Sequence, residues 1–180
     1  VELITEYSKT KPKFYTEESF KALTDAIDAA NAVKDNTEAT KDDVKKAIAA
    51  MKKAADALEE SELTAEAITD KSGMTADAPY SEENVPSALV DGNETNYWES
   101  PYYGNNVGLP KEITLALGDA YDLEKVEIVK NTGNGKVTDY EVLVSTDGEN
   151  FTSVGRKTID ENEMRSGIRM EQANITHVKV

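Results

Sequence analysis

The hydrophobic period of this chain changes once, near Leu63, from that of a helix to that of a strand, so one packed layer cannot serve both halves. From Thr16 to Asp35 the apolar residues Phe20, Leu23, Ile27, Ala30 and Val33 recur at helical spacing, with charged residues between them. Thr16 is a suitable N-cap, Glu17 and Glu18 lie where the helix dipole favours acid, and Tyr15 can pack on Phe20 as a hydrophobic staple. Asn36–Ala39 forms a short connector. Thr40 is the next cap, followed by Asp42 and Asp43, and Val44, Ile48, Met51, Ala55 and Leu58 make a second stripe. Two helices joined by so short a link run antiparallel. Val1–Ser8, with Leu3, Ile4 and Tyr7 on one side, adds a third. Residues 1–62 thus read as a three-helix bundle whose alanine-rich contacts bury little apolar area, so its expected stability is marginal.

Beyond Leu63, Ile113–Leu117 and Tyr140–Val144 alternate, and Val126–Ile128 and Ile168–Met170 are shorter strand candidates. Turn signals lie at Asp91-Gly92-Asn93, Gly118-Asp119, Asn131–Gly135 and Thr146–Glu149. Many short strands with no helical pattern between them predict an all-β antiparallel sandwich over residues 63–180. The chain opens inside a helical pattern. It closes on Thr176–Val180, which reads as the start of an alternating strand, so a piece of a larger protein lacking its last strand is expected.

Charge and composition narrow the function. A net charge of −15 with no basic patch argues against nucleic acid or an anionic membrane as partner. The absence of cysteine excludes disulfides, thiolate metal sites and cysteine nucleophiles, and for an extracellular chain it suits a secreted or surface protein of a Gram-positive bacterium better than an animal ectodomain, which disulfides usually stabilise. No apolar run is long enough to span a bilayer, and Val1–Ile4 lacks the basic start of a signal peptide. The single histidine, His177, sits in a strand pattern without a serine or cysteine motif, and Gly133-Asn134-Gly135 precedes no helix that could bind phosphate. Among 35 acidic residues, carboxylate pairs carry no information about acid–base catalysis. The expectation is a non-catalytic protein.

Two resemblances follow from particular residues. Glu6-Tyr7-Ser8, Tyr15–Leu23, Ala26, Ala29-Ala30, Val33, Thr40 and Val44–Leu58 resemble the FIVAR module, a small helical bundle of Gram-positive surface proteins and glycosidases that implies a spacer or a site of protein contact. Ala88–Trp98, Leu109–Gly118 and Asn134–Phe151 resemble the F5/8 type C, or discoidin-like, jelly roll and within it family 32 carbohydrate-binding modules.

The second resemblance implies sites. Asp91-Gly92-Asn93 with Asn96 is a compact set of oxygen donors of the kind a hard cation such as calcium requires. By resemblance, the calcium ligands fall on the Ala88 carbonyl, Asp91, Asn93 and Asn96. Relatives usually carry threonine where Asn96 stands, and their last ligand is a glutamate beyond the end of this chain. Trp98 is expected in the core beside the metal loop. Tyr102 and Tyr103, in a loop too polar to be buried, are candidate sugar platforms, since an aromatic face stacks on the C–H face of a pyranose. Positions where relatives hold sugar hydroxyls with His and Arg read Glu99 and Lys130, an acceptor and a donor, and Asn131 and Asn134 can add contacts. The expected function is a carbohydrate-binding module with a helical spacer. It would bring an attached glycoside hydrolase or surface protein to glycans of galactose or N-acetylhexosamine type, as a monomer and as part of a multi-modular parent. The rival is a structural or adhesion module that contacts protein without binding sugar.

Overall fold

The computed structural model describes residues 1–81, 83–103, 108–131, 136–160 and 162–180, and separates into two compact units, Val1–Leu63 and Thr64–Val180. The first unit contains helices α1 (Glu2–Tyr7), α2 (Glu17–Asp35) and α3 (Lys41–Asp56). Each long helix starts at its expected cap. Thr16 Oγ1 accepts from Ser19 N, and Thr40 with Asp43 forms a reciprocal capping box, Thr40 N donating to Asp43 Oδ2 at 2.9 Å and Asp43 N to Thr40 Oγ1 at 3.2 Å. These bonds hold the Asp43 carboxyl below its ordinary range. Backbone bonds from Thr16 N to Glu59 O (2.8 Å) and from Ser61 N to Phe14 O (3.0 Å) tie the chain before α2 to the chain after α3.

Leu23, Ala30 and Met51 are buried, while Leu3, Ile4 and Tyr7 of α1 are half-buried. The α3 stripe is rotated from the one expected: Val44 and Ile48 are exposed, and the inner face runs through Ala47, Met51, Ala54, Ala55 and Leu58. Alanine lets two helix backbones approach closely, so the alanine-lined side of α3 lies against α2 and the larger Val44 and Ile48 fall on the flank.

The second unit has five strands: β1 (Thr75–Asp77), β2 (Thr114–Val129), β3 (Asp139–Ser145), β4 (Thr152–Thr158) and β5 (Arg165–Lys179). They form one antiparallel sheet in the order β1-β2-β5-β3-β4. Two expected boundaries are absent. Gly118-Asp119 does not end a strand; β2 runs through it with Gly118 at φ 81° and register shifts between Ala116, Tyr121, Leu123 and Lys125. Likewise Ile168–Met170 and the Thr176 segment belong to a single strand, β5, interrupted only where Asn174 adopts φ 55° and its amide donates to Asp122 Oδ1 at 2.9 Å. The turn chemistry is real, but it produces bulges that bend a long strand. The Thr146–Glu149 signal, by contrast, does make the β3–β4 corner.

The bends close the sheet into a sandwich. β3 pairs with the end of β5, Leu143 opposite Lys179 and Ser145 opposite His177, yet the Tyr140 hydroxyl donates across to Ser166 Oγ, at the start of β5, at 3.2 Å. Tyr140, Val142 and Val144 alternate inward from β3 and meet Leu117, Leu123, Ile168, Met170 and Val178 in one core. The bulge also brings two backbones together, for a Cβ on Gly118 would lie 2.4 Å from Gly73 O. Replacing Gly118 by Ala therefore imposes both a left-handed backbone on an L-residue and a backbone collision. A loss of about 3 kcal/mol in urea unfolding of this unit is expected, whereas Thr40→Ala, which removes only a cap, should cost about 1 kcal/mol in the helical unit.

Candidate functional site

The long connection between β1 and β2 carries most of the candidate side chains, and hydrogen bonds from its own polar groups organise it. The short 3-10 helix Pro86–Leu89 positions Ala88 immediately before the acidic loop. Asp91 Oδ1 then accepts from Asn93 N (2.8 Å) and Oδ2 from Asn96 Nδ2 (2.7 Å), while Asn93 Oδ1 accepts from Thr95 N (3.0 Å) and Thr95 Oγ1 (2.7 Å). Gly92, at φ 77°, permits the turn. The Asn96 and Asn93 bonds hold the Asp91 carboxyl below its usual range, and Lys71 adds to the effect. Glu94 anchors the loop to the sheet through Arg165, which also binds Glu127 at 3.0 Å. The hydrogen bond and then the charge of Arg165 lower the Glu94 pKa, and Arg165 is raised in turn by its bonds to Glu94 and Glu127.

The loop thus gathers Asp91, Asn93 and Asn96 within six residues, with Ala88 one turn earlier. Among the described residues no group of three His, Cys, Asp or Glu side chains could hold a metal. A cation at this loop would rest on one carboxylate with amide and main-chain oxygens, a hard-donor set that fits calcium and not a transition metal.

A second cluster forms around Glu99. Its Oε2 accepts from Asn84 Nδ2 (3.0 Å) and Ser81 Oγ (3.3 Å), its amide donates to Asn84 O (3.3 Å), and its carbonyl accepts from Ser81 N (3.0 Å). Trp98 Nε1 donates to Pro79 O at 3.1 Å. Trp98 is half-buried and lies outside the main apolar cluster, a correction to its expected place in the core; its indole N–H needs a polar partner, which the Pro79 carbonyl supplies near the surface. Tyr102 and Tyr103 are 66% and 61% exposed and pack edge to face with their ring centroids 4.8 Å apart.

Lys130 stands differently from its expected role as a surface donor. Only 5% exposed, it directs Nζ to Asp160 O (2.7 Å), and its amide donates to Met164 O (2.9 Å). The position closes the end of β2 against the turn before β5, and a buried ammonium needs such a partner. Asn131 follows it on the surface, and Asn134 lies outside the described residues. The structure therefore brings Asp91, Asn93 and Asn96 together, and Tyr102 with Tyr103. It ties Glu99 to Ser81 and Asn84, two residues whose signal in the sequence, isolated polar side chains in a loop, is too common to read.

His177 is half-buried, with Nδ1 2.9 Å from Thr176 Oγ1 and its ring against Gly148. Ser145 Oγ, on the neighbouring strand, donates instead to Asp147 Oδ1 at 2.8 Å, and Asp147 further accepts from Asn150 and Glu149 amides. This is a turn lock rather than an aligned nucleophile.

The F5/8 type C domain profile matches residues 67–179, and the chain belongs to that family. Among solved structures its β unit is similar to family 32 carbohydrate-binding modules. One, from a family 89 glycoside hydrolase of Clostridium perfringens and in complex with GalNAc-β-1,3-galactose, is 31% identical, with TM-score 0.54, covering 62% of this chain and 84% of that one. Another, the family 32 module of Clostridium perfringens NanJ in complex with galactose, is 28% identical, with TM-score 0.54, covering 62% and 82%. A third, from a family 31 glycoside hydrolase of the same organism, is 29% identical, with TM-score 0.54, covering 61% and 78%.

The carboxylates that lock these loops have a shared consequence. Asp91, Glu94, Glu124 and Asp147 are all held below their ordinary pKa by hydrogen bonds that favour the charged form. Their folded pKa lies below the unfolded one, so their stabilisation is full above the unfolded carboxylate range and disappears as pH falls through the folded values. Thermal unfolding should accordingly be flat from neutral pH down to about 5 and fall steeply below about 4. Asp147→Asn should lower the neutral-pH Tm and flatten the acid limb, as read by circular dichroism melts.

Proposed function

We propose that residues 63–180 are a non-catalytic, calcium-containing module that binds glycans ending in galactose or an N-acetylhexosamine. The proposal includes a FIVAR-type helical spacer, residues 1–62, that holds this module within a multi-modular protein, secreted or at the surface of a Gram-positive bacterium, and targets an attached glycoside hydrolase or surface protein. The observation that carries the reading is the exposed Tyr102–Tyr103 pair, which follows Glu99 by three residues in the same loop, in a chain of the F5/8 type C family similar to modules solved with galactose-containing ligands. A tyrosine face offers the apolar surface on which a pyranose stacks, while Glu99 Oε1, not used by the Ser81 and Asn84 bonds, is an acceptor for a hydroxyl. Contacts on an open surface with one or two rings are weak, and repetition of modules in a parent protein would raise avidity.

Calcium enters the proposal through Ala88, Asp91, Asn93 and Asn96. A cation bound only by the folded loop raises stability by mass action, so millimolar calcium should raise the Tm of the β unit, chelation should lower it, and Asp91→Ala should abolish the difference. For the sugar, a glycan array probed with calcium present should give selective binding to galactose- or N-acetylhexosamine-terminated glycans, lost in Tyr103→Ala. Silence across the array from folded, calcium-loaded protein would overturn the reading in favour of a structural or protein-contact module. The engagement of Glu99 and Lys130 by protein groups is the observation that favours that second reading.

A further inference from the structure

Eight tyrosines occur in the chain, and the four that are exposed, Tyr80, Tyr97, Tyr102 and Tyr103, all lie between β1 and β2. The others are buried or half-buried in one unit or the other. Tyr80 is half exposed, yet nothing in the local sequence marks it, and among the described residues none of the contacts that organise the loop uses its side chain.

Its backbone is fixed more firmly than that of most loop residues. Pro79 O accepts from Trp98 Nε1 and Ser81 N donates to Glu99 O, so the residues on either side of Tyr80 are both bonded to the Trp98–Glu99 segment. Three further bonds join Glu99 to Ser81 and Asn84. The result is a short strap, Pro79–Ser81 together with Asn84, bonded to the chain that leads directly into Tyr102 and Tyr103. From Glu99 to Tyr102 is three residues, a reach of at most about 10 Å even if fully extended. Tyr80 and the Tyr102–Tyr103 pair are therefore exposed aromatic positions on segments bonded side by side, close enough for one short oligosaccharide to reach both. Tyrosine is suited to such a task, since it offers a large rigid face at small entropic cost and a hydroxyl that hydrogen-bonds.

We propose that Tyr80 is a second stacking platform, which takes the penultimate sugar ring of an oligosaccharide whose terminal ring lies at Tyr102 and Tyr103. The inference rests on the carbohydrate-binding reading above and adds a length preference to it. In this arrangement Glu99 is a positioning residue for Tyr80 as well as a neighbour of the terminal ring, because its carboxylate holds the strap that carries Tyr80.

Titration of the full chain with GalNAc and with GalNAc-β-1,3-galactose, whose terminal ring is the same GalNAc, in calcium and followed by NMR, separates the two platforms. The wild type should bind the disaccharide more tightly than the monosaccharide by roughly three- to tenfold, the size of one aromatic stacking contact. Tyr80→Ala should remove that margin while leaving GalNAc affinity unchanged, and Tyr80→Phe should retain it. Equal affinity of the wild type for the two sugars, or a margin that survives Tyr80→Ala, overturns the inference and leaves the glycan-binding reading intact. Absence of binding to either sugar, with glycan-array silence, removes both.

Discussion

Strands β2 and β5 pair from Thr114 opposite Lys179 to Val129 opposite Arg165, and every other strand of the β unit attaches to that ladder or to a strand that does. A ladder of this length would be a smoothly twisted ribbon without a sharp bend if its register were unbroken. The shifts between Ala116 and Lys125 on one strand, and the left-handed Asn174 on the other, bend both strands over the same stretch. Asp122 secures the bend by accepting the Asn174 amide, and Gly118 lets Gly73 approach its backbone. Because of that bend Tyr140 on β3 can reach Ser166, and the hydrophobic faces of the two halves meet. The sandwich thus depends on irregularities placed in its longest pairing.

Away from the ladder, structure is held by side chains. Asp91, Glu94, Glu99, Glu124 and Asp147 each accept from two or more donors or bridge separate segments, as when Glu124 accepts from Thr64 and Ala65 at the entry to the unit. Loops have backbone amides that no sheet satisfies, and a carboxylate offers several acceptor positions in a small volume. Part of the chain's large negative charge is therefore structural. Acids in the loops, and Glu124 on β2, act as local fasteners for the chain beside them.

Periodicity and capping made the helices and the alternating segments readable: Thr16 and Thr40 cap where their side chains indicate, and Tyr140, Val142 and Val144 point inward as their spacing requires. Continuity was not readable, because a glycine followed by an aspartate has the same local preference whether it ends a strand or forms a bulge in one; only the partner strand decides. The α3 face was displaced by a similar effect, since alanine carries little hydrophobic signal yet sets the closest approach of two helices. In the candidate site, the Asp91–Asn96 loop followed from its own dipeptides. Burial of Lys130 did not, for its partner is a main-chain carbonyl thirty residues away, and no side-chain pattern announces a carbonyl. Nor did the strap, whose bonds join Pro79, Ser81 and Asn84 to Trp98 and Glu99 across a gap that local reasoning does not span.

The position of Trp98 has a practical corollary. It is the sole indole in the protein, it is half-buried, and its N–H is fixed to a carbonyl on the strap. The helical unit contributes no tryptophan emission at all. Fluorescence excited at the red edge of the absorption band is thus a reporter that lies within the β unit, sensitive to solvent access beside Glu99. The chain carries its own optical label at the junction of the strap and the aromatic loop.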